Sequence, residues 1–354
     1  MKAFLRSRAA LLCLMVLLLL AAAGGRLFFD VKAEDAAASL QSSGFLVPGG
    51  QSIGVTMDVK GVLVVGLEEL ETAEGGTVNP GLAAGLQIGD SILTVEGVAV
   101  NSAEEVAQVV NGLQSAVELK VRRKSETLDI QVEPVLSAED GLYKIGVWVR
   151  ARTAGLGTLT FYDPVQNTFG ALGHAITDPV TGQLLRVDEG LLLHASVESV
   201  LQGKAGEPGE IRGIFYEAEE PLGQLSLNTE YGIFGSVYEA IENPYYTQAI
   251  PVASPKEVKK GPAVILATLE GDRMQEYDIE IEKVDRQSSA ETKGLVLRVT
   301  DRELLEQTGG IVQGMSGSPI IQDGKLVGAV THVFVNDPER GYGIFLQWML
   351  SQVE

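Results

Sequence analysis

A glycine-rich turn near the C-terminus carries the residues best suited to chemistry, Gly309-Gly-Ile-Val-Gln-Gly-Met-Ser-Gly-Ser-Pro319. A nucleophilic serine needs a sharp turn that exposes its hydroxyl and gathers backbone N–H groups beside it. In the Gly-x-Ser spacing, the amides of Gly314 and Ser316 converge on one point and can form an oxyanion hole. The pattern predicts that Ser316 is a nucleophile; an ordinary Gly/Ser turn in a β-hairpin is the alternative.

The general base for this serine must be one of three histidines. His174 ends a predicted strand between small residues, where an imidazole can face an open cleft. His194 lies in an apolar run, which favours a packed or capping role, and His332 lies on the strand just beyond the serine hairpin. A chymotrypsin-like arrangement takes its base from the earlier barrel, so His174 is the predicted base.

The carboxylate that orients the base has three candidates. Asp301 follows a predicted strand 15 residues before Ser316. Asp163 and Asp178 end strands near the His174 segment. A lone aspartate at such a position usually caps a turn, so the residues alone leave the choice open.

The composition excludes several classes of function. The net charge of −20 repels phosphate backbones and makes nucleic acid an unsuitable partner. The single cysteine, Cys13, lies in an N-terminal apolar run, so the rest of the chain has no disulfide and no Cys-rich zinc site. With three histidines in the chain, we expect no His-based metal site and no cofactor, and carboxylate sites for calcium stay open as the alternative.

The N-terminus has the pattern of an export signal. Basic residues precede an apolar run from Ala9 to Ala23, which predicts a signal peptide or membrane anchor over residues 1–26 and association with the inner membrane. Residues 27–49 are mostly small and polar, as in a flexible and protease-accessible tether. We therefore expect a protein that is exported across the membrane or anchored to it.

Residues 50–136 predict a small β module with two helices, the first capped by Asn79 and the second by the capping box of Ser102 and Glu105. The string Asn79-Pro-Gly-Leu-Ala-Ala-Gly-Leu-Gln-Ile-Gly-Asp-Ser-Ile-Leu-Thr-Val-Glu-Gly97 resembles the PDZ domains of bacterial proteases. Such a domain binds an extended peptide tail as an added strand. Ser52-Ile53-Gly54-Val55 is the predicted loop for the peptide carboxylate, because Gly54 permits the backbone angles of an N–H nest. A turn before an ordinary strand is the alternative for this segment.

Residues 137–354 contain many short β-type runs separated by turn signals such as Asp163-Pro164 and Asp323-Gly324. This profile predicts antiparallel barrels rather than a parallel sheet with crossover helices. The chain is thus predicted to be mainly β, with the catalytic residues in the second domain.

Three further strings carry a family resemblance: Phe169-Gly-Ala-Leu-Gly-His174, Val299-Thr-Asp301 with the serine turn through Ile320, and Gly328-Ala-Val-Thr-His-Val-Phe-Val-Asn-Asp-Pro338. With them, essentially the whole chain resembles the stage IV sporulation protein B peptidases of endospore-forming bacteria. The resemblance implies a PDZ domain followed by a chymotrypsin-like double β-barrel. It assigns the nucleophile to Ser316, the base to His174 and the acid to Asp301.

The resemblance also implies a biological role. Such peptidases are exported to the space between the forespore and mother-cell membranes and cut themselves near the N-terminus. They then cut a membrane-bound inhibitor of the intramembrane protease that activates pro-sigma-K. A general extracytoplasmic quality-control protease and a non-enzymatic PDZ adaptor are the alternative functions.

Overall fold

The computed structural model describes residues 44–215 and 220–353. The predicted leader (1–26) and residues 27–43 of the predicted tether lie outside the described residues. Within the described residues, no helix combines the length and the apolar character needed to cross a bilayer. The described chain is mainly β, as the sequence predicts.

The N-terminal part contains ten strands and two helices. The strands are β1 (Phe45–Pro48), β2 (Ser52–Leu67), β3 (Leu70–Glu71), β4 (Thr77–Val78), β5 (Ser91–Val95), β6 (Val98–Ala99), β7 (Val117–Arg123), β8 (Glu126–Val132), β9 (Val135–Leu136) and β10 (Tyr143–Lys144), and the helices are α1 (Pro80–Ala83) and α2 (Ala103–Leu113). Both helices begin where the sequence predicts. Asn79 Oδ1 accepts from Leu82 N at 2.8 Å, and Ser102 Oγ accepts from Glu105 N at 3.1 Å.

The second half of β2 packs with β5, β7, β8 and α2 around one hydrophobic core, and we call this unit the PDZ module. Val106 and Val110 of α2 pack on the inward-facing residues of β2, β5 and β7, among them Val62 and Ile92. Alternate residues of a strand point to opposite faces, so the inward set of each strand is apolar. The buried core also includes Ile145, which lies beyond the predicted boundary at residue 136.

The middle of the chain continues with eight strands: β11 (Val147–Asp163), β12 (Thr168–Ala171), β13 (Val187–His194), β14 (Ser196–Leu201), β15 (Glu210–Ile214), β16 (Gly223–Thr229), β17 (Gly232–Val237) and β18 (Ile250–Pro251). Six strands close the first barrel in the order β2-β11-β12-β17-β16-β13, because β2 pairs with both β11 and β13. Its core contains Ile53, Met57, Leu159 and Phe169.

Strand β2 belongs to both units. Its first half pairs with β11 and β13 in the barrel, and its second half pairs with β5 through Val62 and Leu63. Residues 52–59 therefore belong to the barrel. The core of the PDZ module begins at Val62 and extends to Ile145. The predicted module, residues 50–136, therefore includes the first half of β2, which the structure places in the barrel, because the one continuous strand serves both units.

The second barrel follows from β19 (Gly261–Glu270), β20 (Arg273–Val284), β21 (Leu295–Val299), α3 (Arg302–Thr308), β22 (Pro319–Gln322), β23 (Lys325–Phe334), β24 (Asp337–Phe345) and α4 (Leu346–Leu350). The six strands close in the order β19-β20-β21-β24-β23-β22. Alternate residues of β19, such as Ile265 and Ala267, point into its core. Two six-stranded barrels after a PDZ module match the predicted architecture.

Candidate active site

The loop between α3 and β22 holds Ser316 in a tight turn. Gly314 and Gly317 both have φ of +98°, a backbone conformation that favours glycine. A Cβ atom on Gly317 would lie 2.1 Å from Thr158 O and 2.6 Å from Leu172 N. Only glycine fits at this position, so Gly317 is required by the close approach of the two barrels; Gly314 instead packs against Ile211 of β15.

Two buried threonines of β11 tie this loop to the first barrel. Thr158 donates from its amide to Ser316 O at 3.0 Å and from Oγ1 to Gly314 O at 2.7 Å. Thr160 Oγ1 donates to Gly317 O at 2.8 Å. These contacts fix the carbonyl groups of the turn. No sequence signal marked either threonine, because both lie in an ordinary buried strand.

The amides of Gly314 and Ser316 have no hydrogen-bond acceptor within the described part of the chain. Both residues line a cleft of ≈ 350 Å³ that also contains His174. Free amides facing such a cleft can receive the negative charge of a tetrahedral intermediate. The geometry is consistent with the predicted oxyanion hole.

His174 reaches the cleft from the first barrel. After β12 the chain turns at Leu172 and Gly173, with φ of +69° and +70°. A Cβ on Gly173 would lie 3.0 Å from Thr331 Cγ2, so the turn packs directly on β23 of the second barrel. This close contact brings His174 into the same cleft as Ser316, as the sequence predicts.

The imidazole of His174 is held in a form suited to accept a proton. Its Nδ1 lies 2.8 Å from Ala175 O. A neutral ring that donates from Nδ1 to this carbonyl leaves Nε2 as the acceptor. Burial lowers the pKa of His174 below its ordinary value, which keeps the ring neutral and available as a base.

The hydroxyl of Ser316 donates to Thr331 O at 2.7 Å. The Ser316 hydroxyl must therefore rotate away from this carbonyl, so that its proton points to His174 Nε2 before transfer. Catalytic hydrogen bonds commonly align only when substrate binds. Thr331 is thus the resting partner of the nucleophile, a role that sequence reasoning did not foresee.

Asp301, the acid that the resemblance implies, lies at the N-cap of α3. Its Oδ1 accepts from Leu304 N at 2.9 Å, and its Oδ2 accepts from Asp278 N at 3.4 Å. Aspartate is a preferred N-cap residue because its carboxylate satisfies free amides of the first turn. The structure therefore does not bring Asp301 to His174, whose Nδ1 faces Ala175 O instead.

The other two aspartates also cap turns. Asp163 Oδ1 accepts from Val165 N at 2.8 Å. Asp178 Oδ1 accepts from Thr181 N at 2.8 Å, and its other oxygen forms an ion pair with Arg150. Neither carboxylate has a hydrogen bond to His174 in the described residues, so the base is oriented by a backbone carbonyl.

The remaining histidines occupy different surroundings. The ring centroid of His332 lies 5.1 Å from that of His174. Desolvation is the main cause that lowers the pKa of His332 to about 4; repulsion from His174, whenever that ring is protonated, and from Lys293 adds to it. His194 ends β13 in an exposed position and lines another cavity, rather than the packed position that its apolar neighbours predict.

The predicted carboxylate-binding loop is not a loop. Ser52–Val55 lie inside β2, where Ile53 pairs with Gly157 of β11 on one side and His194 of β13 on the other. Gly54 is required because a Cβ there would lie 2.4 Å from the Phe215 ring. With both strand edges paired, these amides cannot form a nest for a peptide carboxylate, and the prediction is wrong.

Among the described residues, no group of three or more His, Cys, Asp or Glu side chains is arranged to hold a metal ion. The cleft offers a serine, an imidazole and two free amides. This set is sufficient for acyl transfer without a metal ligand.

Comparison with known proteins adds a family. Residues 141–350, more than half of the chain, match the model described as SpoIVB peptidase S55. The active form of the Rv3671c protease from M. tuberculosis is 14% identical, with 57% of this chain and 74% of that chain covered and a TM-score of 0.34. The PDZ domain of an SdrC-like protein from Listeria monocytogenes is 18% identical, with coverages of 25% and 87% and a TM-score of 0.20. The search of curated proteins found no significant match.

Proposed function

The chain belongs to the SpoIVB peptidase S55 family and is a serine endopeptidase, and we propose that it is an exported, self-cleaving signalling protease of sporulation. Its proposed substrate is a membrane-bound inhibitor of the intramembrane protease that activates pro-sigma-K. One observation carries the catalytic part of this proposal: Ser316 and His174 line one cleft although they come from different barrels.

The geometry supports a two-step acyl transfer. His174 Nε2 takes the proton of Ser316 as its Oγ attacks the substrate carbonyl, and the resulting oxyanion is received by the amides of Gly314 and Ser316. The imidazolium then gives the proton to the leaving amine, which breaks the peptide bond. Water activated by His174 repeats these steps on the acyl-enzyme and releases Ser316.

The orientation of His174 by a neutral carbonyl supports a signalling role. An imidazolium is stabilised more by a carboxylate than by the carbonyl of Ala175, because only the carboxylate is charged. We therefore expect a slow enzyme that acts on few, well-presented bonds. A general quality-control protease is expected to need faster and broader turnover.

Self-cleavage is proposed for the part of the predicted tether that precedes β1, residues 27–43, whose composition is accessible to proteases. The rest of the predicted tether is not accessible, because Phe45–Pro48 form β1, which is mostly buried and pairs with β11 and β18. The test expresses the full chain as wild type, Ser316→Ala, His174→Ala and Ser318→Ala, and follows the N-terminus by mass spectrometry. Ser318 is a matched control, since its buried Oγ has no hydrogen-bond partner in the structure. We expect shortening in the wild type and Ser318→Ala alone.

The outcomes separate the alternatives. Shortening that persists in Ser316→Ala would rule out self-cleavage by this site and favour the adaptor. Incubation with unfolded casein tests breadth: rapid degradation by the wild type but not by Ser316→Ala would contradict the narrow signalling role and favour quality control.

A further inference from the structure

A second cavity lies where the PDZ module meets the start of β13, away from the catalytic residues. It measures ≈ 320 Å³. Its cationic lining consists of Arg122 and Lys124, from β7 and the turn after it, and Arg186, which precedes β13. Leu63, Ser91 and Arg122 are neighbours across three paired strands, so their side chains share the outer face of the module sheet.

The three cations of this cavity have no carboxylate partner within residues 44–215 and 220–353. Arg122 Nη2 donates only to the neutral Ser91 Oγ, at 3.3 Å. The next residue behaves differently, because Arg123 binds Asp90 through two hydrogen bonds of 2.7 Å. Asp90 is therefore engaged by Arg123, and no carboxylate of the described residues neutralises the cations of the cavity.

The arginines of the cavity are also close enough to repel each other. Burial, and secondly the charge of Arg186, lower the pKa of Arg122. Acidic residues outnumber basic ones by 47 to 27 in this chain, so unpaired cations held together are unexpected. A bound anion would relieve both the desolvation and the repulsion.

The other side chains that line the cavity indicate what kind of ligand the anionic group belongs to. Apolar side chains from β2 and from the segment before β13 form the other walls; they are Val59, Leu63, Leu184 and Leu185. A bare inorganic anion gains nothing from such walls, whereas an aliphatic side chain next to a carboxylate is buried by them. The net charge of −20 repels polyanions such as nucleic acid or an anionic bilayer.

We propose that this cavity binds a peptide carboxylate flanked by apolar side chains, with Arg122 and Arg186 holding the carboxylate. The site is separate from the cleft of Ser316 and goes beyond the catalytic function. It joins strands of the PDZ module to the first barrel, so a bound peptide would stabilise that junction. Arg122 and Arg186 come from segments distant in sequence, and only the fold brings them together.

The test is calorimetric titration of the full chain, carrying Ser316→Ala to prevent cleavage. The probes are an N-acetylated apolar pentapeptide that ends in leucine with a free carboxylate, its C-terminal amide, and the amide with a glutamate as its fourth residue. We expect the first or third peptide to bind and the plain amide to bind at least about tenfold more weakly. Binding of the first peptide would show that the cavity takes a terminal carboxylate, and binding of the third would show that it takes a side-chain carboxylate.

Substitution of the two arginines tests whether the peptide binds in this cavity. Arg122→Gln and Arg186→Gln should each weaken binding about ten- to a hundredfold, since each removes charge-assisted hydrogen bonds. The matched control is Arg302→Gln, whose side chain is 91% exposed and pairs with Glu306; it should bind as its parent does. Neither cavity variant should lower the melting temperature, because each removes a repulsion.

Three results would overturn the proposal. The first is equal binding of the plain amide, and the second is binding that neither arginine variant weakens. The third is displacement of the peptide by inorganic phosphate at an equal concentration, which would make this a site for free anions. Because no catalytic turnover is measured, failure here is distinguishable from failure of the proposed protease function.

Discussion

The two sides of the catalytic cleft are held in very different ways. The nucleophile loop of the second barrel accepts three hydrogen bonds from Thr158 and Thr160 of the first barrel, and its Gly317 lies in near contact with that barrel. His174, on the opposite side, is oriented by the carbonyl of the next residue alone. The serine is thus positioned by tertiary structure, whereas the base is positioned locally.

This difference locates the sensitive parts of the enzyme. Changes at the barrel–barrel contact should damage stability and activity together, because the same bonds serve both. Changes around His174 should alter the protonation of the base with less effect on folding. The following substitutions test the contrast from the largest expected effect to the smallest.

Replacing Gly317 by alanine should have the largest effect. The new Cβ would meet Thr158 O at 2.1 Å in a backbone with φ of +98°, and we expect a loss of about 2–4 kcal/mol of unfolding free energy. Displacement of Ser316 should lower kcat/KM by about a hundredfold. Urea denaturation and peptide hydrolysis measure the two effects.

The control is Gly324→Ala, where φ is +73° but nothing lies within 4 Å of the added Cβ. It should lose only the backbone cost of about 1 kcal/mol and keep its activity. Equal losses in the two variants would mean that the barrel contact contributes nothing.

Removing the Thr160 hydroxyl deletes one of the hydrogen bonds that join the two barrels at the nucleophile loop. Thr160→Val leaves Gly317 O without its donor at 2.8 Å and should cost about 1–3 kcal/mol. Thr56→Val is the matched control, since the buried Thr56 Oγ1 has no partner in the structure. We expect the control to be neutral or stabilising in thermal unfolding; an equal loss in both would contradict the assigned role of Thr160.

Asp301→Asn tests whether the base lacks a carboxylate. Asparagine caps a helix about as well as aspartate, so stability should change by less than about 0.5 kcal/mol and kcat/KM by only a fewfold. A triad acid replaced by its amide costs about 10⁴-fold in kcat. A loss of that size with unchanged stability would put Asp301 in the site, as the resemblance implies.

The smallest effect is expected in the pH dependence, because the His332 side chain is exposed and solvent screening reduces what its shifted pKa contributes to stability. The folded-state pKa of His332 is lowered from 6.5 to about 4, so the unfolded chain binds this proton more readily. Stability that is present above pH 6.5 is therefore lost as pH falls towards about 4. His332→Gln should flatten that decline in melting temperature, and a decline equal to the wild type would contradict the shift.

The sequence predicted those features whose determinants are contiguous. The serine turn, the two caps at Asn79 and Ser102, and the strand-end His174 could be identified because each depends on residues within a few positions. The α3 helix was missed although its signals are present: Asp301 is a good N-cap and Gly309 ends the helix in the left-handed conformation.

The features that were missed depend on distant pairings. The segment Ser52–Val55 resembles a loop and strand, but pairing with β11 and β13 on both edges makes it central to a barrel. The anchoring by Thr158 and the cluster of Arg122 with Arg186 likewise join residues far apart in sequence. Hydrophobic alternation shows which face of a strand points inward, but it does not show which strands pair with it.

The central claim is that Ser316 is a nucleophile activated by His174, and covalent labelling tests it most directly. The full chain is treated with a fluorophosphonate, digested and examined by mass spectrometry, beside His174→Gln and Ser318→Ala. We predict a single adduct on Ser316 in the wild type and in Ser318→Ala, and its loss in His174→Gln. An adduct on another serine, or undiminished labelling of Ser316 without His174, would contradict the account.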